Sequence, residues 1–305
     1  MSYNEPIAII SDPHANLKAL NAVLRDIILN RGIRTIFCLG DVVGYGANPV
    51  EVIDIFRNGW KNPDDGKVYK FAGISKGNHD ELAGYLRQGA FTVDSLTGML
   101  HIKKDAAETL DAAVKQMKDM GEEGEKRLDF LETLSVDPLQ IREDAKGIHA
   151  FKNPFSGFMT YPMDLWLAKR YNIKDIEIIQ DPKELFADPG IFDPETPVHF
   201  IGHAHLPYAY REDMQEEGVF LPTRVDIGEK LAQHKQVFVN RFYLKQGLKT
   251  LVNVGSVGQS RFETEEVLGR VKKAGFEPVL PAYYVVLYKN VIEFIELYYA
   301  LPQQK

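Results

Sequence analysis

Cysteine is almost missing: Cys38 stands alone among 305 residues. A single thiol allows no intrachain disulfide and no cysteine metal cluster. That excludes a disulfide scaffold and zinc-finger chemistry, and it fits a reducing compartment. Long apolar runs are missing too. The most apolar stretch, Tyr283 to Leu301, is broken by Lys289, Glu293 and Glu296, whereas a membrane helix needs about 20 apolar residues. The N-terminus shows no basic region followed by an apolar run, so no signal peptide and a cytoplasmic location are expected. Positive charge is not in excess. Lys and Arg number 36 against 43 Asp and Glu, a formal charge of −7. With no basic stripe among aromatics, this argues against a nucleic-acid partner. A phosphate substrate stays open, because bound metal ions invert the local charge. No tract rich in Gly, Ser or Pro marks a linker, and 45% hydrophobic residues suit a folded globular chain.

What is present alternates between strand and helix. Ile7 to Ile10 is an apolar run bounded by Asp12 and Pro13. Leu17, Leu20, Val23, Leu24, Ile27 and Ile28 then recur with helical period until Gly32. Thr35 to Leu39 reads as a second buried strand. At Asn48-Pro49 a capping residue precedes a proline at the first helical position, and Gly59 closes that helix. A third strand is predicted from Tyr69 to Ile74. Such an order implies parallel strands joined by right-handed crossovers. Tyr85 to Val136 reads as helix, with a turn at Gly121 to Gly124.

The second half changes to short strands at Val198–Ile201, Tyr208–Arg211, Val237–Leu244, Leu251–Val254, Tyr283–Tyr288 and Val291–Leu297. Lys289-Asn290 fits a two-residue hairpin turn between the last two. The expectation is one α/β domain spanning 1–305, with a second sheet packed on the first and a helical insertion at about 85–136.

Metal-capable residues gather behind these strands, where open α/β sheets bind ligands. Asp12-Pro13-His14 follows the first strand; alone it reads more readily as a turn with a polar histidine. Gly40-Asp41-Val42-Val43-Gly44 follows the second and frames a carboxylate with glycines. Its alternative is a glycine-rich turn capped by Asp41. Gly77-Asn78-His79-Asp80 is the most specific: an amide oxygen for a metal, an imidazole, and a carboxylate that can orient it. His149 follows Lys146-Gly147-Ile148. Gly202-His203-Ala204-His205 follows Val198–Ile201, and two histidines at i and i+2 are a metal-ligand spacing. His101 and His199 are spare candidates, the latter within a strand and expected to pack in the fold. Imidazole and carboxylate donors without cysteine suit manganese, iron, zinc, cobalt or nickel rather than a structural zinc site.

The ordered set Asp-x-His, Gly-Asp-x-x-Gly, Gly-Asn-His-Asp, His and Gly-His-x-His, from Asp12 to His205, resembles the calcineurin-like metallophosphoesterase superfamily. The segment Asn253-Val254-Gly255-Ser256-Val257-Gly258-Gln259 resembles a glycine-serine loop of its bacterial phosphodiesterase-like members. The resemblance implies a four-layer α/β/β/α sandwich of two mixed sheets flanked by helices. It also implies two divalent ions, manganese first among them. Asp12, His14, Asp41 and His205 would hold one; Asp41, Asn78, His149 and His203 would hold the other. His79 would be the proton donor, oriented by Asp80. Ala15 and Ala150 stand where the family usually has glycine.

The implied reaction is hydrolysis of a phosphoester by metal-activated hydroxide, with His79 as general acid. The protein-phosphatase branch carries an arginine shortly after the second motif; here that stretch is Gly44-Tyr45-Gly46. The favoured substrate is therefore a small phosphodiester or nucleotide, with Arg261 as a candidate phosphate contact. Dinucleoside polyphosphate hydrolysis and phosphomonoester hydrolysis are the other enzyme readings, and a catalytically silent binding scaffold is the reading of another class.

Overall fold

The fold was obtained as a computed structural model. It describes residues 5–99, 102–152, 159–160, 186, 192, 195–214, 237–259 and 279–300. In chain order the first half holds β1 (Ile7–Ile10), α1 (Leu17–Arg25), β2 (Thr35–Cys38), α2 (Pro49–Asn58), β3 (Trp60–Lys61), β4 (Val68–Tyr69) and β5 (Gly73–Ile74). Four helices follow: α3 (Asn78–Gln88), α4 (Val93–Met99), α5 (Lys104–Asp119) and α6 (Glu122–Thr133). Then come β6 (Leu139–Arg142), β7 (Ala145–Ile148), β8 (Phe151–Lys152), β9 (Met159–Thr160), β10 (Val198–Ile201) and β11 (Tyr208–Arg211). The last strands are β12 (Val237–Tyr243), β13 (Thr250–Asn253), β14 (Val279–Leu287) and β15 (Val291–Ala300).

Two mixed sheets dominate. The first runs β12-β15-β14-β1-β2-β5 and the second β11-β13-β10-β7-β6. In the first, β1, β2 and β5 are parallel. In the second, β7, β10 and β13 are parallel. Parallel strands put their carboxyl ends at one edge, and every sequence motif lies at such an end.

Period-two alternation sorts the core. Along β1 and the β2 run, Ile7, Ile9, Phe37 and Leu39 face the second sheet, where they meet Val198, Phe200 and Val252. Ala8, Ile10, Ile36 and Cys38 face the helices, with Leu20, Val23 and Leu24 of α1 and Val52 and Ile53 of α2. The helices α3–α6 join this same cluster through Leu82, Leu86, Leu96, Leu110, Val114 and Leu131. The outer face of the second sheet carries Tyr208, Tyr210 and Leu251, packed with Phe186 and Phe192. Each fully buried Leu, Ile or Phe contributes about 1.5–3 kcal/mol, so apolar contact is the main force holding the two sheets and the helices together. No helix among the described residues is long and apolar enough to cross a membrane.

Several local expectations change. The strand expected from Tyr69 to Ile74 is two pieces. Val68–Tyr69 pairs back with Trp60–Lys61, and only Gly73–Ile74 joins β2. Phe71, between them, turns to stack on Phe56 of α2 at 4.5 Å. The first helix continues to Asn30 as a π-helical turn before Gly32 stops it. Asn48 makes no side-chain cap bond to α2, whereas Asn16 Oδ1 caps α1 by accepting from Ala19 N at 3.1 Å. Helix begins at Asn78, not Tyr85, and Gly124 lies inside α6 rather than in a turn. A Cβ there would strike the Met117 carbonyl, so α5 and α6 approach closely only through glycine. The hairpin β6–β7 ahead of His149 was not legible, because Leu-Gln-Ile-Arg and Ala-Lys-Gly-Ile carry little apolar signal. The turn at Lys289-Asn290 is as expected, with Tyr288 N bonded to Val291 O at 2.8 Å.

Candidate metal centre

Six residues other than glycine have positive φ among the described residues: Asp12, His14, Ala15, Asp41, His203 and His205. Five are predicted site residues and the sixth adjoins one. Left-handed backbone costs an L-residue roughly 1–2 kcal/mol, and such strain collects where side chains must be aimed. These turns, just after the strand ends, aim the side chains at one place. His203 and His205, two apart, both reach it.

Two groups of donors result. Asp12, His14, Asp41 and His205 offer atoms within 4.8 Å of one another, and so do Asp41, His149 and His203. Asp41 belongs to both. Its Oδ2 lies 3.7 Å from His14 Nε2 and 3.4 Å from His149 Nε2. In the first group His14 Nε2 faces His205 Nε2 at 2.8 Å, and Asp12 Oδ1 lies 3.4 Å from His205 Nε2. In the second, His149 Nε2 faces His203 Nδ1 and Asn78 Oδ1, each at 3.1 Å. All seven predicted donors are therefore brought together.

The chemistry of this set fits cations. His14 Nδ1 meets the Val43 carbonyl at 3.1 Å and His149 Nδ1 the Leu39 carbonyl at 2.8 Å. A carbonyl only accepts, so each Nδ1 carries the hydrogen and each Nε2 presents a lone pair. Those lone pairs point at carboxylate oxygens and at other imidazoles, in a setting where Asp12, His14 and His149 have no exposure. Acceptors facing acceptors in a dry interior are unfavourable unless a cation lies between them. An imidazole held by a backbone carbonyl on its far nitrogen is the usual support of a metal-ligating histidine.

Electrostatics point the same way. Burial, then the neighbouring imidazoles, pushes His14 well below the usual histidine range. Burial likewise lowers His149 and His203. That shift favours the neutral ring, whose lone pair is free to bind a cation. Burial raises the Asp12 carboxyl, but His205, His149 and His14 outweigh it and hold it below the carboxylate range. Asp41 is pushed well up by burial and then by the charges of Asp12 and Asp80.

His79 lies beside the first group, its ring 4.9 Å from that of His14. Burial, with His205 and His149, pushes it down to about 3. Its Nδ1 is buried and meets no hydrogen-bond partner among the described residues. Asp80 does not orient it. The Asp80 carboxylate accepts from Gly77 N at 2.9 Å and from Val43 N at 3.2 Å. Burial pushes that carboxyl up to about 7 against the backbone N–H groups that lower it. Asp80 therefore ties the loop after β2 to the start of α3. The reason is helical: the third residue of a helix reaches back to the N-terminal amides. The same junction sets Asp41, since His79 N donates to Asp41 Oδ1 at 2.8 Å. Gly77 permits it, because a Cβ there would run into the Asp41 carboxylate.

Of the remaining candidates, His199 packs in the fold. It bonds Thr196 O at 3.0 Å and lies against Phe192 at 4.5 Å. His101 and Arg261 lie outside the described residues. Sequence reasoning missed Tyr45, whose ring centre is 5.0 Å from His14 and 5.2 Å from His79. Its signal was an aromatic set between two glycines just after a ligand-bearing strand.

Fold and site together define an α/β/β/α protein whose strand ends hold a cluster of cation donors. The chain belongs to the calcineurin-like phosphoesterase family, whose profile matches residues 5–227. It is thus a hydrolase of phosphate esters from a family that depends on divalent metals. It is 34% identical over 260 residues to an uncharacterized protein of Methanocaldococcus jannaschii, covering 84% of this chain and 77% of that one. In fold it is similar to a metallophosphoesterase from Sphaerobacter thermophilus, with TM-score 0.58 and 23% identity over 97% of this chain and 89% of that one. A hypothetical protein from Pyrococcus horikoshii is also similar, with TM-score 0.50 and 17% identity over 96% and 88%.

Proposed function

We propose that this phosphoesterase uses two divalent ions to hydrolyse a small phosphodiester or nucleotide. The observation that carries the reading is Asp41, one carboxylate shared by two donor groups. Asp12, His14, Asp41 and His205 would hold one ion. Asp41, Asn78, His149 and His203 would hold the other, with manganese, first by the family resemblance, among the metals that suit this mixed oxygen and nitrogen set. Bound ions supply Lewis acidity toward phosphate oxygens and bring the pKa of water near neutrality.

The chain itself does the rest. Asn78, at the first turn of α3, offers an amide beside the phosphate as well as an oxygen to the ion. His79 holds the proton for the leaving oxygen. The negative phosphodiester group next to the ring counters burial and the other imidazoles, and so lets the ring carry its extra proton. The left-handed turns fix the donors before substrate arrives, which spares reorganisation during reaction. The absence of an arginine in Gly44-Tyr45-Gly46 favours a diester over a phosphoprotein.

The test is hydrolysis of bis-p-nitrophenyl phosphate with Mn²⁺, beside the monoester p-nitrophenyl phosphate and a metal count on the same sample. Diester turnover abolished by chelator, with two Mn²⁺ per chain, is expected. Preference for the monoester would overturn the substrate class. Fewer than two ions would overturn the paired site.

A further inference from the structure

The segment Asn253-Val254-Gly255-Ser256-Val257-Gly258-Gln259 follows β13 and ends beside Asp12, yet it contributes none of the proposed ligands. A glycine-rich loop that cradles phosphate does so with free backbone N–H groups. Here five of them are occupied. Val254 N donates to Ile201 O at 3.0 Å, Val257 N to Ser11 O at 3.0 Å and Gly258 N to Asp12 O at 2.9 Å. Gly255 N donates to Asn253 Oδ1 at 2.9 Å and Gln259 N to Ser256 Oγ at 2.8 Å.

What these bonds hold is Asp12. Ser256 has no exposure, and its hydroxyl donates to the Asp12 carbonyl at 2.9 Å. That carbonyl therefore accepts from both Ser256 Oγ and Gly258 N, which pins the peptide of a residue at φ +53°. The other end of the loop reaches the fifth motif. Asn253 Nδ2, equally buried, donates to Gly202 O at 2.8 Å. His203 N, next in the chain, donates to both Asp12 carboxylate oxygens at 3.1 and 3.0 Å. One loop thus fastens the end of β1 to the end of β10, across the two sheets.

We infer that this loop is a buckle that positions Asp12 and His203 toward the metal ions, with Ser256 and Asn253 as positioning residues, and that it does not bind phosphate. The inference rests on the ligand set proposed above. Supporting hydrogen bonds around metal ligands typically change metal affinity by about 10–100-fold when removed.

The test uses the full chain stripped of metal and titrated with Mn²⁺, with Co²⁺ absorption as a probe of ligand geometry. Ser256→Ala is expected to keep its circular dichroism and to weaken one Mn²⁺ by at least about tenfold. Its Co²⁺ spectrum should change, and its inhibition constant for inorganic phosphate at saturating metal should not. Asn253→Asp keeps the acceptor for Gly255 N and removes donation to Gly202, so it tests the other end should Ser256→Ala fold poorly. Unchanged Mn²⁺ affinity in a folded variant overturns the buckle, as does weaker phosphate inhibition with metal binding intact. Fewer than two ions on the wild type overturns the ligand set itself, and the buckle falls with it.

Discussion

At the end of α1, Asp26 is 4% exposed and meets donors on every side. Arg31 Nε lies at 2.8 Å, Asn30 Nδ2 at 2.9 Å, and the Tyr284 hydroxyl also donates to it. Glu293 nearby accepts from Arg241 Nε at 2.8 Å. At the strand ends, Asp12, Asp41 and four imidazoles are as deeply buried but face one another. Both clusters are polar and dry. The first brings its cations on the chain, as guanidinium groups, and is structural. In the second, Asp12 and Asp41 accept from the backbone N–H groups of His203 and His79, and no Lys or Arg side chain among the described residues pairs with them. Buried carboxylates do not by themselves mark a functional site; buried carboxylates set among imidazole lone pairs, with backbone N–H donors in place of a cationic side chain, do.

The sharpest way to break this contrast is Asp41→Ala, which removes the shared carboxylate. Two-ion binding should be lost and diester turnover should fall to background, while the metal-free chain keeps its melting temperature or gains. A fall in apo stability like that of a broken ion pair would make Asp41 structural. Next, His79→Ala should keep both ions and lose about 10²–10⁴-fold in turnover of esters with poor leaving groups. Leaving groups that need no proton should be affected far less. Equal losses for all would remove the proton-donor role.

At the other cluster, Asp26→Ala should cost about 3 kcal/mol of stability, at the low end for a broken buried pair because Arg31 reaches solvent. Turnover per folded molecule should stay unchanged. Burial raises the Asp26 carboxyl, but Arg31, Tyr284 and Asn30 outweigh it, so its folded pKa lies below the ordinary value. Its contribution is therefore present above about pH 4 and is lost as pH falls through the folded value. Urea melts between pH 5 and 2 should show a shallower acid loss in Asp26→Asn than in wild type.

Asp80→Asn should weaken Mn²⁺ by about tenfold through the Asp41 loop, with the same loss for good and poor leaving groups. A loss confined to poor leaving groups would restore Asp80 as the partner of His79. The smallest effect is at Ala15, buried at φ +54° where the family usually has glycine. Ala15→Gly should raise stability by about 1 kcal/mol in a denaturant melt, by removing left-handed strain. No gain would mean that the backbone there relaxes without penalty.

Much of this was legible because it is local. Ile7–Ile10 and Val198–Ile201 were read to the residue, since a short apolar run bounded by a turn leaves little choice. The split of the Tyr69–Ile74 run was not legible. Phe71 leaves the strand for Phe56 of another element, and no periodicity records that. The donor residues were visible as types in order, each behind a strand. Their pairing came only from the family resemblance and not from the residues themselves: His14 and His205, 191 residues apart, face each other only because the two sheets pack. Asp80 shows the same limit. Its place after His79 suggested a dyad, but the helix start gave its oxygens nearer partners on the backbone.

The sequence by itself determined the strand and helix alternation, the donor chemistry and the family, because each is carried by residues close in the chain. Tertiary structure alone decided that Asp80 binds backbone and that the loop at 253–259 fastens Asp12. Those outcomes depend on which strand ends meet at one edge. That is set by burial of two faces of each sheet at once, a property of the packed chain and not of any segment within it.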